Sequence, residues 1–376
     1  MEEPIALYLH IPFCKQKCFY CDFPSFACKD NLMLNYTNAL CKEISSAANY
    51  KIGSIFIGGG TPTYLSLECL MLLKEAIAKL DLTENMEFTV EGNPDSFNSE
   101  KLTIFKAMGV NRLSIGLQAW QDTLLKNIGR AHNRQQFLNT FKTARSLGFN
   151  NINVDLMFGL PNQTFLNWKE TLEKVLELNP EHISCYSLIV EEGTPFYKSN
   201  ELGKLNLPEE DVEREMYEFA IEFLKSKGYM QYEISNFSKD GLECKHNLTY
   251  WNLKDYIGCG SSAHSYINNT RYRNESDIEK YIYGINSGTN AVIEKHVNSL
   301  EDNMEEFMFM GLRKIDGISI EEFKLRFQND IHNIYSKVLD KFLKTNLLVL
   351  EGDRLFLSAE GIELSNQIMC EFILSV

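Results

Sequence analysis

Residues 8–23 read YLHIPFCKQKCFYCDF, and Cys14, Cys18 and Cys21 fall within eight residues, just after the apolar run Ile5–His10. Three thiols crowded into a loop that follows a buried strand point to metal ligation, because bare reduced thiols so close together would oxidise. The spacing suits zinc poorly. Structural zinc takes four ligands, usually from two CxxC-type pairs far apart in the chain, so a zinc site would need His10 or Cys28 to join. Two-cluster ferredoxins use four cysteines at different spacings. Three thiolates instead match a [4Fe–4S] cubane with one iron left open, able to chelate the amine and carboxylate of an amino acid.

Outward from this loop, the first half of the chain alternates short apolar runs with amphipathic stretches. The runs are Ile5–His10, Ser54–Ile57, Glu87–Glu91, Arg112–Leu117, Asn151–Phe158 and His182–Ile189. Each is rich in Ile, Val, Leu, Phe or Tyr, as a parallel strand buried on both faces should be. Between them, Leu70, Leu73, Ile77 and Leu80, and later Trp168, Leu172, Val175 and Leu176, recur at helical spacing and form apolar stripes. Six βα units in series predict an α/β fold with a parallel sheet, and an open doubly wound sheet or a partial barrel satisfies the pattern. Polar residues at the strand ends favour the barrel. Cysteines follow the first run and Gly58-Gly59-Gly60 follows the second. Glu91 ends the third, Gln118 follows the fourth, Asp155 lies in the fifth and Ser187 near the end of the sixth. A barrel brings all of these to one rim. The glycine triplet lacks the Lys-Ser/Thr of a phosphate loop and the spacing of a dinucleotide fingerprint.

After Pro195 the composition changes. Pro208 is expected at the first turn of a helix over 209–227, and a Gly-, Asn- and Tyr-rich stretch with few helical signals follows over 229–274. From about Met304, helical patterns with a capping box at Ser319 and Glu322 lead into an expected hairpin around Glu351-Gly352-Asp353. The expected organisation is a core barrel over 1–200, a connecting region over 201–300 packed on it, and a small α+β, winged-helix-like domain over 301–376.

The chain has 376 residues, of which 44% are hydrophobic, so a large core is readily built. Its formal charge of −14 argues against nucleic-acid binding through phosphates and against docking on an anionic membrane. The N-terminus MEEPIALYLHIPFC lacks a basic signal-peptide region, and no apolar run reaches 18 residues, which predicts a cytoplasmic protein. In a reducing compartment, the ten cysteines read as metal ligands and core residues and not as five disulfides.

Residues 14–23, CKQKCFYCDF, resemble the CxxxCxΦC signature of radical SAM enzymes. The chain is similar, more closely, to the oxygen-independent coproporphyrinogen oxidase family and its relatives, the HemW-type haem chaperones. YLHIPFC, FIGGGTPTYL, VEGNPD, SIGLQ, GRAH, VDLMFGLPNQT, YSLIVEEGTPF and HNLTYWN match that pattern in order over essentially the whole chain. The resemblance implies a partial (β/α)6 barrel and a reduced cluster that passes an electron to the sulfonium of S-adenosylmethionine (SAM), yielding methionine and a 5′-deoxyadenosyl radical. It implies that Tyr8 and Tyr20 flank cofactor and cluster, and that Gly58, Gly59, Gly60 and Thr61 lie against the methionyl group. Glu91, Gln118, Arg130 and Asp155 are then the polar contacts to SAM. Charge logic agrees: the carboxylates can accept from the amine and ribose hydroxyls, and Arg130 can pair with the SAM carboxylate.

Two functions compete within the resemblance. The oxidase decarboxylates two propionates of coproporphyrinogen III, and its pattern carries a fourth cysteine two positions after the third and a longer segment ahead of the motif. Here that position is Phe23, and thirteen residues precede Cys14. HNLTYW, residues 246–251, instead matches the HNxxYW motif of the chaperone type. A neutral His246 is a reasonable axial ligand to haem iron, and Tyr250 and Trp251 offer flat surfaces to a porphyrin. GSSAHS, residues 260–265, reads as structural, and Cys244 as a buried core cysteine. The expectation is a haem chaperone with radical SAM machinery, and not a coproporphyrinogen oxidase. Its partners are haem, a haem-acceptor protein and an electron donor.

Overall fold

A computed structural model describes residues 3–289 and 291–374; the first two residues of the acidic N-terminus lie outside them. The six apolar runs become six consecutive parallel strands, β1 (Ile5–Ile11), β2 (Lys51–Gly59), β3 (Asp81–Gly92), β4 (Arg112–Gln118), β5 (Ile152–Phe158) and β6 (His182–Ser187), side by side in sequence order. In β1 only Tyr8 is not fully buried, and in β5 only Asp155. Both sit in mid-strand among buried neighbours, as lumen-facing residues of a barrel wall do when helices cover its outer face. The helix Phe165–Leu176 buries Trp168, Leu172 and Val175, the stripe expected from its spacing, and Thr164 opens it with a full capping box. The helix Leu67–Ile77 likewise buries Leu70, Leu73 and Ile77.

The region 201–300 does more than pack on the barrel. Strands β7 (Met230–Glu233) and β8 (Asn236–Ser238) extend the sheet beyond β6. Strand β9 (Tyr256–Cys259) pairs in parallel with β1, and β10 (His264–Ile267), β11 (Thr270–Asn274) and β12 (Val292–Val297) continue outward antiparallel. The result is one 12-stranded sheet in which both edges of the six-stranded wall are paired. Unpaired edge strands are a liability, and these short strands cover them.

Three local expectations are corrected. The helix expected to start at Pro208 runs Glu210–Ser226 with Glu209 at its cap, so the proline precedes the cap and sets the entry of the chain. The Gly- and Asn-rich stretch contains a helix, Lys245–Trp251, so HNLTYW lies on a helix and not in a loop. At Ser319, Glu322 N–H donates to the hydroxyl as in a capping box, but the reciprocal partner is Asp353 from the hairpin: Glu321 N–H donates to it at 2.8 Å. That hairpin, β14 (Leu348–Glu351) and β15 (Arg354–Leu357), joins β13 (Ile318–Ser319) in a three-stranded antiparallel sheet packed with the helices Leu300–Gly311, Ile320–Phe327 and Ile331–Lys344. Its core includes Leu253 and Tyr266, which ties this winged-helix-like unit to the extended sheet.

Candidate functional site

The cysteine loop springs from the end of β1 and is closed on itself: Phe26 N–H donates to the Pro12 carbonyl at 2.7 Å and Cys14 N–H to the Phe26 carbonyl at 3.0 Å. Cys14 is buried, and Cys18 and Cys21 are half-buried. Two side chains donate to sulfur. Thr61 Oγ1 reaches Cys14 Sγ at 3.5 Å, and Arg130 Nη1 reaches Cys18 Sγ at 3.5 Å. Asn93 joins these donors, accepting from Arg130 Nη2 at 2.5 Å and donating to Thr61 Oγ1 at 3.2 Å. Donors aimed at thiolate sulfur from a rigid outer ring are what an iron–sulfur site needs, since they stabilise the charge and tune the potential. Among the described residues no group of three or more His, Cys, Asp or Glu side chains gathers as a single-ion site. Cys28 is exposed, and His10 is engaged by Tyr8 hydroxyl (3.0 Å) and the Pro24 carbonyl (2.8 Å). His10 is thus engaged elsewhere and not available as a fourth zinc ligand, and three cysteines with donors aimed at two of their sulfurs suit a cubane. Asn93 was not singled out from sequence; its local signal is its place directly after Gly92, the buried last residue of β3.

The glycine triplet is required first by this loop. A Cβ on Gly60 would stand 2.8 Å from the Phe13 carbonyl oxygen and 2.9 Å from Cys14 Sγ, and one on Gly59, whose φ is +114°, 2.6 Å from the His10 ring. A Cβ on Gly58 would meet the Phe56 ring at 2.9 Å and Glu91 Oε1 at 3.1 Å. Gly60→Ala is expected to push the loop away from β2 and cut the iron bound after anaerobic reconstitution well below that of the parent, with the melting temperature reporting the loop strain separately.

Glu91 lies at the end of β3, and Gly59 N–H donates to its Oε1 at 2.6 Å. Burial, then the nearby Asp155 charge, pushes its carboxyl up to about 8. Asp155 itself accepts from Asn153 Nδ2 at 2.7 Å and Ser114 hydroxyl at 3.0 Å. Gln118 ends β4 in a left-handed conformation (φ +72°) that turns the chain at the rim. Its amide and Arg130 both crowd the Cα of Gly116, and Arg130 Nη2 also donates to the Gly116 carbonyl at 2.7 Å. Among the described residues Arg130 Nε is buried without a hydrogen-bond partner. Tyr20 packs against Phe196, and burial raises its hydroxyl far above the ordinary value. The rim residues named from sequence thus meet in two linked groups: Tyr8, Gly58, Gly59 and Glu91, with Asp155 beside them, and Cys14, Thr61, Arg130, Cys18 and Gln118 around Asn93.

The helix Lys245–Trp251 lies against the lower barrel. Glu87, at the buried part of β3, accepts from Lys245 N–H (3.0 Å), His246 N–H (3.1 Å) and Cys244 Sγ (3.3 Å). This places a carboxylate on the helix N-terminus, the favoured end. His246 is 1% exposed; its Nδ1 is 2.9 Å from Ser54 hydroxyl and its Nε2 is 2.8 Å from Tyr250 hydroxyl. Burial, then the charge of Arg112, lowers its pKa to about 3, so the ring is neutral with both nitrogens engaged. A polar chain links this helix to the rim. Asn153 binds His182 Nδ1 at 2.7 Å, His182 Nε2 meets Tyr232 hydroxyl at 2.8 Å, and that hydroxyl accepts from Cys244 N–H at 3.3 Å. Glu87, Arg112, Asn153, His182 and Tyr232 were all invisible as site residues in the sequence, where the first four read as ordinary strand positions and Tyr232 fell in the Gly-, Asn- and Tyr-rich stretch.

Tyr250 and Trp251 line a cavity of about 530 Å³ that also reaches Tyr8, the cluster-loop residues Phe23 and Pro24, and His264. Trp251 is covered on one face by Arg313, 4.5 Å from the ring, and among the described residues its buried indole N–H has no hydrogen-bond partner. Cavities of about 300–1,000 Å³ with aromatic walls are the ordinary setting of a cofactor-sized ligand.

Residues 8–175 match the family model of the Radical SAM superfamily, and residues 298–364 that of the HemN C-terminal domain. The protein named haem chaperone HemW of Bacillus subtilis (strain 168) is 40% identical over 374 residues, covering 98% of this chain and 99% of the relative. Its namesake in Lactococcus lactis subsp. lactis (strain IL1403) is 37% identical over 375 residues, covering 100% of this chain and 98% of the relative. Coproporphyrinogen III oxidase (HemN) from Escherichia coli, a radical SAM enzyme, superposes with a TM-score of 0.87 over 100% of this chain and 91% of its own, at 23% identity, a likeness of fold. No helix among the described residues is long and apolar enough to cross a membrane.

Proposed function

This chain belongs to the radical SAM superfamily and, within it, to the HemW-type family, and on that footing we propose that it is a haem chaperone, binding one haem per monomer and passing it to an acceptor protein. The observation that carries the reading is the cavity where Tyr250 and Trp251 of the HNLTYW helix face the cluster loop. Superfamily membership implies a [4Fe–4S] cluster and SAM. Cys14, Cys18 and Cys21 would hold the cluster, and Tyr8, Tyr20, Gly58, Gly59, Gly60, Thr61, Glu91, Gln118, Arg130 and Asp155 would surround SAM. When bound, the cluster supplies an electron to the sulfonium of SAM.

The residues of this chain do the rest. Arg130 and Thr61 stabilise thiolate sulfur by donating to it. Tyr250 and Trp251 form an aromatic wall for a porphyrin, and His246 holds Tyr250 in that wall through the Tyr250 hydroxyl. Phe23, 62% exposed, stands at the cavity where the oxidase pattern places a fourth cysteine, which favours holding a porphyrin over decarboxylating it.

Anaerobic reconstitution followed by SAM, reductant and coproporphyrinogen III is expected to give no protoporphyrinogen. Product formed with matching methionine release would replace the chaperone by the decarboxylase. Haem titration is expected to saturate at one haem per chain, and His246→Ala to weaken it and alter its absorption spectrum. Unchanged affinity and spectrum in that variant would remove His246 from the site.

A further inference from the structure

The cavity beside the cluster loop has a charge character that the chain as a whole does not. The formal net charge is −14, yet among the described residues its lining includes Lys254, Arg271 and Arg273 and no Asp or Glu. Arg273 is held on β11 by a bidentate pair with Glu294 (2.8 and 3.0 Å), whose carboxylate is exposed to water. Among the described residues Lys254 pairs with the exposed Glu3 at 3.1 Å. Arg271 is placed more firmly, by Glu306 at 2.8 Å and the Tyr256 hydroxyl at 3.3 Å. The lining is also aromatic, with Tyr8, Tyr250 and Trp251. Flat apolar surfaces together with basic side chains in one cavity match a planar aromatic ligand that carries carboxylates.

The same lining holds two imidazoles, and of these His10 is buried and engaged by the Tyr8 hydroxyl and the Pro24 carbonyl. His264, at the start of β10, is exposed, and among the described residues its ring makes no hydrogen bond. His246, in contrast, is behind Tyr250 with both nitrogens in use. Burial, Arg273 and Arg271 lower the His264 pKa, so the ring is neutral with a lone pair available to iron.

We propose that this cavity binds the porphyrin with its propionates on Lys254, Arg271 and Arg273, and that His264 is the accessible axial ligand to its iron. The inference rests on the haem reading above and adds to it the residues that select a carboxylate-bearing iron porphyrin. His246 then acts on the ligand through Tyr250, which it positions.

The test uses the full-length protein and three probes: haem, haem dimethyl ester, and metal-free protoporphyrin IX. Lys254→Ala combined with Arg273→Ala is expected to weaken haem about tenfold or more while leaving the dimethyl ester unchanged, because two charge-assisted contacts are lost only where a carboxylate is present. His264→Ala is expected to shift the Soret band of bound haem and to leave protoporphyrin IX affinity unchanged. His264→Met, which keeps a ligand, is expected to give a third, distinct spectrum. Equal loss of haem and its dimethyl ester, or a Soret band unmoved by both His264 variants, overturns the proposal while haem binding itself still stands. A wild-type chain that binds none of the three probes overturns the haem reading and this inference together.

Discussion

Glu87→Ala is expected to lower the stability of the chain by about 3 kcal/mol and to detach the HNLTYW helix from the barrel. The carboxylate satisfies two backbone N–H groups and a thiol at the start of that helix, and each donor left buried without a partner costs roughly 1–3 kcal/mol. It also stands near Arg112, which is 2% exposed, so the variant leaves a buried cation with less compensation. Chemical denaturation would measure the loss. Iron loading at Cys14, Cys18 and Cys21 is expected to survive, because the loop is tied to Gly60 and Phe26 and not to Glu87. Haem binding is expected to fall, because Tyr250 and Trp251 are positioned by the helix. Equal loss of cluster and haem would mean that Glu87 supports the whole barrel and not the helix.

The second large effect is a pH dependence from Glu91. Its carboxyl is raised to about 8 by burial and by Asp155, against roughly 4.3 in an unfolded chain. Between those values the folded state holds a proton that the unfolded state has released. The contribution to stability is therefore full below about 4.3 and is lost as pH rises through 8, by roughly 1.4 kcal/mol per pH unit at the steepest. Solvent reaching the half-buried side chain reduces the total to a few kcal/mol. Denaturation midpoints of the cluster-free chain are expected to fall from pH 5 to pH 9, and Glu91→Gln, which is neutral throughout, to flatten that slope. SAM binding is expected to strengthen toward pH 8, since an ionised Glu91 has one more acceptor position for the SAM amine. A variant as pH-sensitive as the parent would assign the slope to other groups.

The strands and the cysteine loop were legible for a shared reason. A parallel strand under helices is buried on both faces, so it writes itself as a short apolar run, and β1 to β6 all do. The helix Lys245–Trp251 and the strands β7 to β11 were not legible. They are three to seven residues long, too short to show a period, and tertiary pairing holds them in place. Pro208 was misplaced by two residues for a smaller reason: proline is compatible with both positions at a helix entrance.

Site residues divide the same way. Cys14, Cys18 and Cys21 announce themselves by spacing, because one loop supplies all three ligands. Asn93, Glu87 and His182 could not, because each acts on partners 29 to 159 positions away in the chain. By itself, then, the sequence determined a barrel wall and a three-thiolate loop at its rim, since both depend on local period and spacing. Only the tertiary structure decided which imidazole faces the cavity. His246 carries the recognisable motif, yet Ser54 and Tyr250 occupy both its nitrogens, whereas His264, in a stretch read as structural, stands open among Lys254, Arg271 and Arg273. Exposure and hydrogen-bond partnership are set by contacts between distant segments, and no local pattern encodes them.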